Sequence, residues 1–231
     1  MLATLFNWRY QDLGDLSAVA HAGAFAFANP GFSYDAQLVD VDDLDGVGES
    51  APSPHFYQNL AEAEYVVASY MYMRLLGYPA ERISILATYN GQKALISDII
   101  DVRCAGDARI GRPKALETVD KYQGSQNDYI LLSLTRTKQL GHLRDVRRLI
   151  VAVSRARLGL YVFGRKDLFL NSPDLKPIFE ALTVGKPTKL ALAFGDKSYA
   201  TADRRAGSKP TKEVLVSCLA EMGMIVAGLL Q

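Results

Sequence analysis

A chain of 231 residues has room for one large or two small domains, and 49% hydrophobic with 22% charged residues is ordinary globular make-up. A formal net charge of +1 gives no bulk signal for nucleic acid. No apolar run approaches the roughly 20 residues of a membrane span, and no basic stretch followed by an apolar core marks a secretory signal.

The charge is unevenly spread. Asp35 to Glu49 holds six acidic residues and no Lys or Arg. Arg136 to Lys166 holds nine Lys or Arg and one acid, Asp145. Such a basic stretch is either a solvated face or a phosphate-binding one. Cys104 and Cys218 show no metal-type spacing, and His21, His55 and His142 are scattered, which fits a reduced intracellular protein.

In chain order, residues 1–35 read as irregular, with a turn at Asn29-Pro30-Gly31. Ala36–Val41 reads as a strand and Gly46–Pro54 as a loop rich in Gly, Ser and Pro. Asn59 caps a helix over Ala61–Leu76, with Glu62 completing a capping box and Gly77 ending the helix. Ile83–Thr88 is a short strand. A second helix opens at Asn90 or Gly91, with Leu95, Ile96, Ile99 and Ile100 on one stripe.

Leu116–Val119 and the nearly all-apolar Tyr129–Leu134 read as strands, the latter buried on both faces. Arg147–Arg157 reads as helix and Leu160–Phe163 as strand. Beyond Phe169, a helix over Asp174–Leu182 and a strand over Lys189–Phe194 are expected. A polar Ser198–Lys212 and a closing helix over Glu213–Leu230 follow. Strands alternating with helices predict an α/β fold with a mainly parallel sheet. In such sheets ligands bind at the carboxyl ends of strands, where the loops after Thr88 and Val119 lie.

Four constellations carry chemistry. Ser154-Arg155-Ala156-Arg157 places two guanidinium groups at the end of an apolar helix. Guanidinium is always charged and binds oxygens in a bidentate way, so it suits phosphoryl transfer; the plain alternative is a solvated helix end. In Thr118–Asp128, the Thr118 hydroxyl and the backbone near Gly124 suit phosphodiester contacts, and Gln123 and Gln126 offer amides to phosphate or ribose. Thr88-Tyr89-Asn90-Gly91-Gln92-Lys93 is a strand end, a tight turn and a helix start, which favours anions as much as it makes an ordinary turn. Asn7-Trp8-Arg9-Tyr10 holds the one tryptophan; an aromatic beside an arginine can stack a base and reach a phosphate, or simply anchor a core.

Together, in this order and spacing, the four resemble the second RecA-like domain of superfamily 1 helicases of the DNA2/NAM7-like family. The resemblance extends beyond the shared motifs: Gly46–Ser50, Phe56–Leu60, Tyr89–Lys93 and Gly141–Arg148 are similar to a spliceosomal member. It covers residues 5–170 and implies a RecA-like fold. It implies that residues 1–170 are the second helicase domain, with motifs near 7–10, 88–93, 118–128 and 151–157. Residues 171–231 are then a C-terminal extension, partly mobile with a closing helix.

The same resemblance implies roles. Trp8 and Arg9 would stack adenine and touch the γ-phosphate, Gly124 and Gln126 would complete the nucleotide site, Arg155 would be the arginine finger and Arg157 its companion. Gln126 stands where most relatives carry Glu. Thr88, Tyr89, Gln92, Thr118 and Gln123 would face RNA. The implied cofactor is ATP with Mg2+. The implied partners are pre-mRNA intron RNA, spliceosomal proteins and a first RecA-like domain, in the nucleus and with no membrane.

The sequence contains no Gly-x-x-x-x-Gly-Lys-Ser/Thr loop, the phosphate cradle of a complete motor. The chain alone is therefore expected not to hydrolyse ATP, and Met1 reads as an internal or assigned start. Two functions remain open on these grounds: the C-terminal motor half of a splicing helicase, or a non-enzymatic module that docks RNA or spliceosomal proteins.

Overall fold

The computed structural model describes residues 28–194, 203 and 207–231. Trp8 and Arg9 lie outside them. The centre is a five-stranded sheet built from β1 (Ala36–Asp40), β4 (Ile83–Ala87), β5 (Ala115–Thr118), β6 (Asn127–Ser133) and β7 (Ala156–Gly164). Its order is β1-β7-β6-β4-β5, and every pairing is parallel. This is the expected α/β RecA-like fold. Parallel strands need covered faces, and here successive residues feed two separate cores. Tyr129, Leu131, Tyr161 and Phe163 enter one; Ile130, Leu132, Leu160 and Val162 enter the other.

The first core lies under α1 (Leu60–Leu75), α2 (Asn90–Cys104) and α6 (Leu219–Leu230). The second lies under α3 (Val146–Val153), α4 (Lys166–Leu170) and α5 (Lys176–Thr183). The chain beyond residue 170 belongs to both: Ile178 and Phe179 fill the second core, while Leu190, Leu192, Val216 and Met222 fill the first. β8 (Leu190–Phe194) pairs antiparallel with β9 (Lys212–Val216). Where one closing helix was expected from Glu213, the chain first adds this strand and turns into helix only at Leu219. Among the described residues no helix is long and apolar enough to cross a membrane.

The expected 46–54 loop is also a strand. β2 (Glu49–Ser53) and β3 (Phe56–Asn59) form a hairpin turned at His55, which takes φ +63°. Proline and serine concealed it, because its stability comes from what it rests on. A Cβ added at Gly91 would lie 2.6 Å from the carbonyl oxygen of Tyr57, so only glycine lets α2 start beneath the hairpin. Gln58 Nε2 donates to the Gly91 carbonyl at 3.2 Å.

The helix from Arg147 is shorter than expected. Asp145 caps α3 by accepting from Arg147 N at 3.1 Å, Val153 ends it, and Arg157 already stands on β7. The capping box at Asn59 is half formed. Glu62 N donates to Asn59 Oδ1 at 3.1 Å, but the Asn59 N–H goes to Gln92 Oε1 at 2.6 Å. The Glu62 side chain points into the fold instead.

Candidate functional site

With all strands parallel, the sheet has two chemically different ends, and the predicted residues divide between them. At the amino end, Arg155 follows α3. Its Nε donates to the Val151 carbonyl at 2.8 Å, its Nη2 to Ser154 Oγ at 2.7 Å and its Nη1 to the Ser125 carbonyl at 3.1 Å. Asn127 N donates back to the Arg155 carbonyl at 3.1 Å. The guanidinium thus caps the carbonyl end of α3, where a cation is favoured, and ties it to the turn before β6. Among the described residues no carboxylate pairs with it.

That turn contains Gly124 at φ +85°, with open space where a Cβ would be; the backbone angle alone asks for glycine. Gln123 and Gln126 are exposed. Arg157 is exposed and sits 3.9 Å from Asp128, a carboxylate shared with Arg82 at 3.7 Å. An exposed ion pair of that length is weak, so Arg157 is available to a stronger anion.

The carboxyl end holds the other group. Thr88 Oγ1 donates to the Leu134 carbonyl at 2.8 Å. Thr118 is almost fully buried at the end of β5, and its carbonyl accepts from Tyr122 N at 3.0 Å. Tyr89 is buried, its phenol oxygen accepting from Arg136 Nη1 at 3.3 Å and from His142 N at 3.0 Å. Gln92 does not reach the surface. It is 0% exposed, and its amide is spent on Asn59 and on Ser133 Oγ, each at 3.0 Å from Nε2. Gln123 stands on the connection between the two ends.

Beneath this end lies a buried polar network that the linear pattern did not show. Glu62 is fully buried, and one carboxylate oxygen accepts from Ser133 Oγ and Thr135 N, both at 2.7 Å. Burial pushes its carboxyl up to about 7, against the opposing pull of those hydrogen bonds. It clamps a tight γ-turn in which Arg136 N reaches the Leu134 carbonyl at 2.8 Å around Thr135, whose φ is +70°.

Arg136 then pairs with Glu49 at 2.9 Å, with both side chains under a tenth exposed. Burial raises the Glu49 carboxyl, but hydrogen bonds from Arg136 and from the Thr137 and Lys138 amides outweigh it and hold it below the usual range. Arg136 also lies 3.9 Å over the Tyr57 ring. Arg136 was legible only as one of nine cations in a basic stretch, and Glu49 only as part of an acidic one. Nothing in their spacing of 87 residues marks them as a pair.

A family profile described as an AAA domain matches residues 18–167, most of the chain. The chain belongs to that AAA-domain family. The domain is of the kind found in superfamily 1 helicases of the DNA2/NAM7 type, as the motif order suggested. Over 215 residues the chain is 57% identical to RNA helicase aquarius of Mus musculus, covering 93% of the chain and 14% of that relative. It is 31% identical over 189 residues to pre-mRNA-splicing factor cwf11 of Schizosaccharomyces pombe, covering 81% of the chain and 15% of the relative. Over 103 residues, or 42% of the chain, it is 36% identical to regulator of nonsense transcripts 1 of Dictyostelium discoideum, with 8% of that relative covered. The chain therefore spans about a seventh of the length of the two relatives it matches over most of its length.

Of the predicted site residues, Thr88, Tyr89, Gln92 and Thr118 stand at the carboxyl ends of the parallel strands. Arg155, Arg157, Gly124 and Gln126 stand at the opposite end.

Proposed function

We propose that this chain is the second motor half of an ATP-dependent RNA helicase acting in pre-mRNA splicing in the nucleus. In this reading the amino end of the sheet faces ATP held mainly by a first RecA-like domain, and the carboxyl end faces RNA. Arg155 acts as the arginine finger. Arg157 stands beside it, Gln126 meets the ribose and the backbone at Gly124 approaches the nucleotide. Trp8 and Arg9 would complete that site. Thr88, Thr118 and Gln123 contact the RNA backbone, while Tyr89 and Gln92 act from beneath by holding the turn in shape.

The observation that carries the reading is the setting of Arg155. A half-buried guanidinium is fixed by three hydrogen bonds to neutral oxygens and left without a carboxylate among the described residues. A preorganised cation of this kind suits an incoming phosphate, because no internal ion pair need break. ATP fits the glycine turn and the arginines. Its magnesium ion needs acidic ligands, and among the described residues no cluster of three His, Cys, Asp or Glu could hold a metal. Magnesium is assigned mainly to the first domain on the family resemblance, since one or two carboxylates with the phosphates and water suffice to hold it. ATP with magnesium supplies the phosphoryl group; this chain's residues orient it and neutralise its charge.

The test is reconstitution. The chain is mixed with a first RecA-like domain bearing a Walker loop, and ATP hydrolysis is followed with and without single-stranded RNA. Turnover stimulated by RNA is expected only when both halves are present. Robust turnover by the chain alone would overturn the assignment. Binding of RNA by the chain alone should be weak, independent of sequence and steeply salt-sensitive.

A further inference from the structure

We propose that His142 is a stacking platform for a nucleobase of the bound single strand, which rests on the RNA-facing role of the carboxyl end given above. The imidazole is exposed, yet its inner face is fixed. It stacks on the Tyr89 ring with centroids 5.1 Å apart and planes inclined by 29°. Tyr89 is 4% exposed and stands edge-on to Tyr57 at 5.0 Å. Arg136 lies over Tyr57 and is anchored in turn by the buried Glu49.

The backbone is built for this arrangement. His142 N donates to Tyr89 Oη at 3.0 Å, and Gly141 takes φ +56° in the short turn Gly141–Arg144. A Cβ at Gly141 would collide with that same phenol oxygen and approach Arg136 Nη1 to 2.7 Å. Glycine at 141 is therefore what lets the next residue close over the tyrosine. The result is an aromatic face turned to solvent whose orientation is already fixed, so stacking a base on it costs little further ordering. Lys138 and Arg144, both exposed on the same connection, provide cations for the adjoining phosphates.

The 231-residue chain is titrated at low salt with a fluorescently labelled oligoadenylate and with an abasic ribose-phosphate strand of equal length. His142→Ala should weaken oligoadenylate binding by about 5-fold or more, the share of one stacked base. His142→Phe, which keeps an aromatic face, should restore it. Binding of the abasic strand should be the same for all three proteins. If His142→Ala binds oligoadenylate like the unaltered chain, the platform is wrong and the RNA-facing role stands. Equal losses on both strands would also overturn it, because they would mark a general rather than a base-directed effect. Failure of the unaltered chain to bind either strand would overturn the RNA-facing role and the platform with it.

Discussion

The two ends of the central sheet, about 20 Å apart along β6, solve the problem of polar groups in opposite ways. At the amino end the arginines are held by neutral oxygens or by loose, exposed ion pairs. Beneath the carboxyl end one set of polar groups is buried and matched: Glu62 with Ser133 and Thr135, Gln92 with Asn59, Arg136 with Glu49. The first arrangement leaves the amino-end guanidinium groups outside any tight ion pair among the described residues. The second spends its charge internally to hold loop backbones in fixed shapes. Exposed Lys138 and Arg144 stand on the same connection as the buried Arg136, so at the carboxyl end charge used for shape and charge open to solvent lie close together, as they do in the sequence.

The largest test of this contrast is Arg155→Ala. In a motor reconstituted with a first RecA-like domain it should lower kcat by about 10³-fold or more. The folding stability of the chain should fall by only the ~0.3–1 kcal/mol typical of a cation at a helix end, read from urea unfolding. A stability loss large enough to explain the kinetic one would break the distinction between the ends.

Arg136→Ala should do the reverse. It leaves Glu49 buried without its cation, and equilibrium unfolding should show a loss of about 3–5 kcal/mol. The stabilisation by the lowered Glu49 carboxyl is present above the ordinary carboxylate range and disappears as pH falls through the folded value. A variant as stable as the parent would show that the pair carries no structural weight.

Glu62 gives a pH signature of opposite sign. Its carboxyl is raised from 4.5 to about 7 in the fold, so the folded state holds a proton that the unfolded state has released. Its contribution is complete below about 4.5 and is lost as pH rises through about 7, amounting to ~3 kcal/mol across the window. Glu62→Gln keeps the shape and removes the titration, so the stability-against-pH curve should flatten between those values. An unchanged slope would locate the ionisation elsewhere.

The smallest effect is expected at Gln126. Gln126→Ala should raise KM for ATP in the reconstituted motor by about 2–10-fold, the share of one neutral hydrogen bond, and leave RNA affinity alone. A change in RNA affinity instead would move the residue to the other face.

Much of this was legible in order along the chain. The apolar run Tyr129–Leu134 announced a strand buried on both faces, the Ile96, Ile99 and Ile100 stripe announced α2, and Asn59 announced the start of α1. These are local signals, set by periodicity and by unsatisfied helix ends. The hairpin Glu49–Asn59 and strand β9 were not legible: the hairpin is anchored on Gly91 and Thr137, 33 and 88 residues away, and β9 pairs with β8 across a long intervening segment. Gln92 looked like a surface amide beside a phosphate turn. Its burial depends on Asn59 and Ser133, 33 and 41 residues away.

The sequence by itself determined the α/β class, the family and which residue types were available for phosphate chemistry, because composition, periodicity and motif order are properties of a linear chain. Only the tertiary structure decided which end of the sheet each residue occupies and whether its polar atoms face outward or inward. Parallel strand order sends the turn before β6 and the end of α3 to the amino edge while Thr88 and Thr118 go to the other. The direction of a buried hydrogen bond is fixed by the partner that packing brings within 3 Å, and that partner cannot be read from the residue's neighbours in the chain.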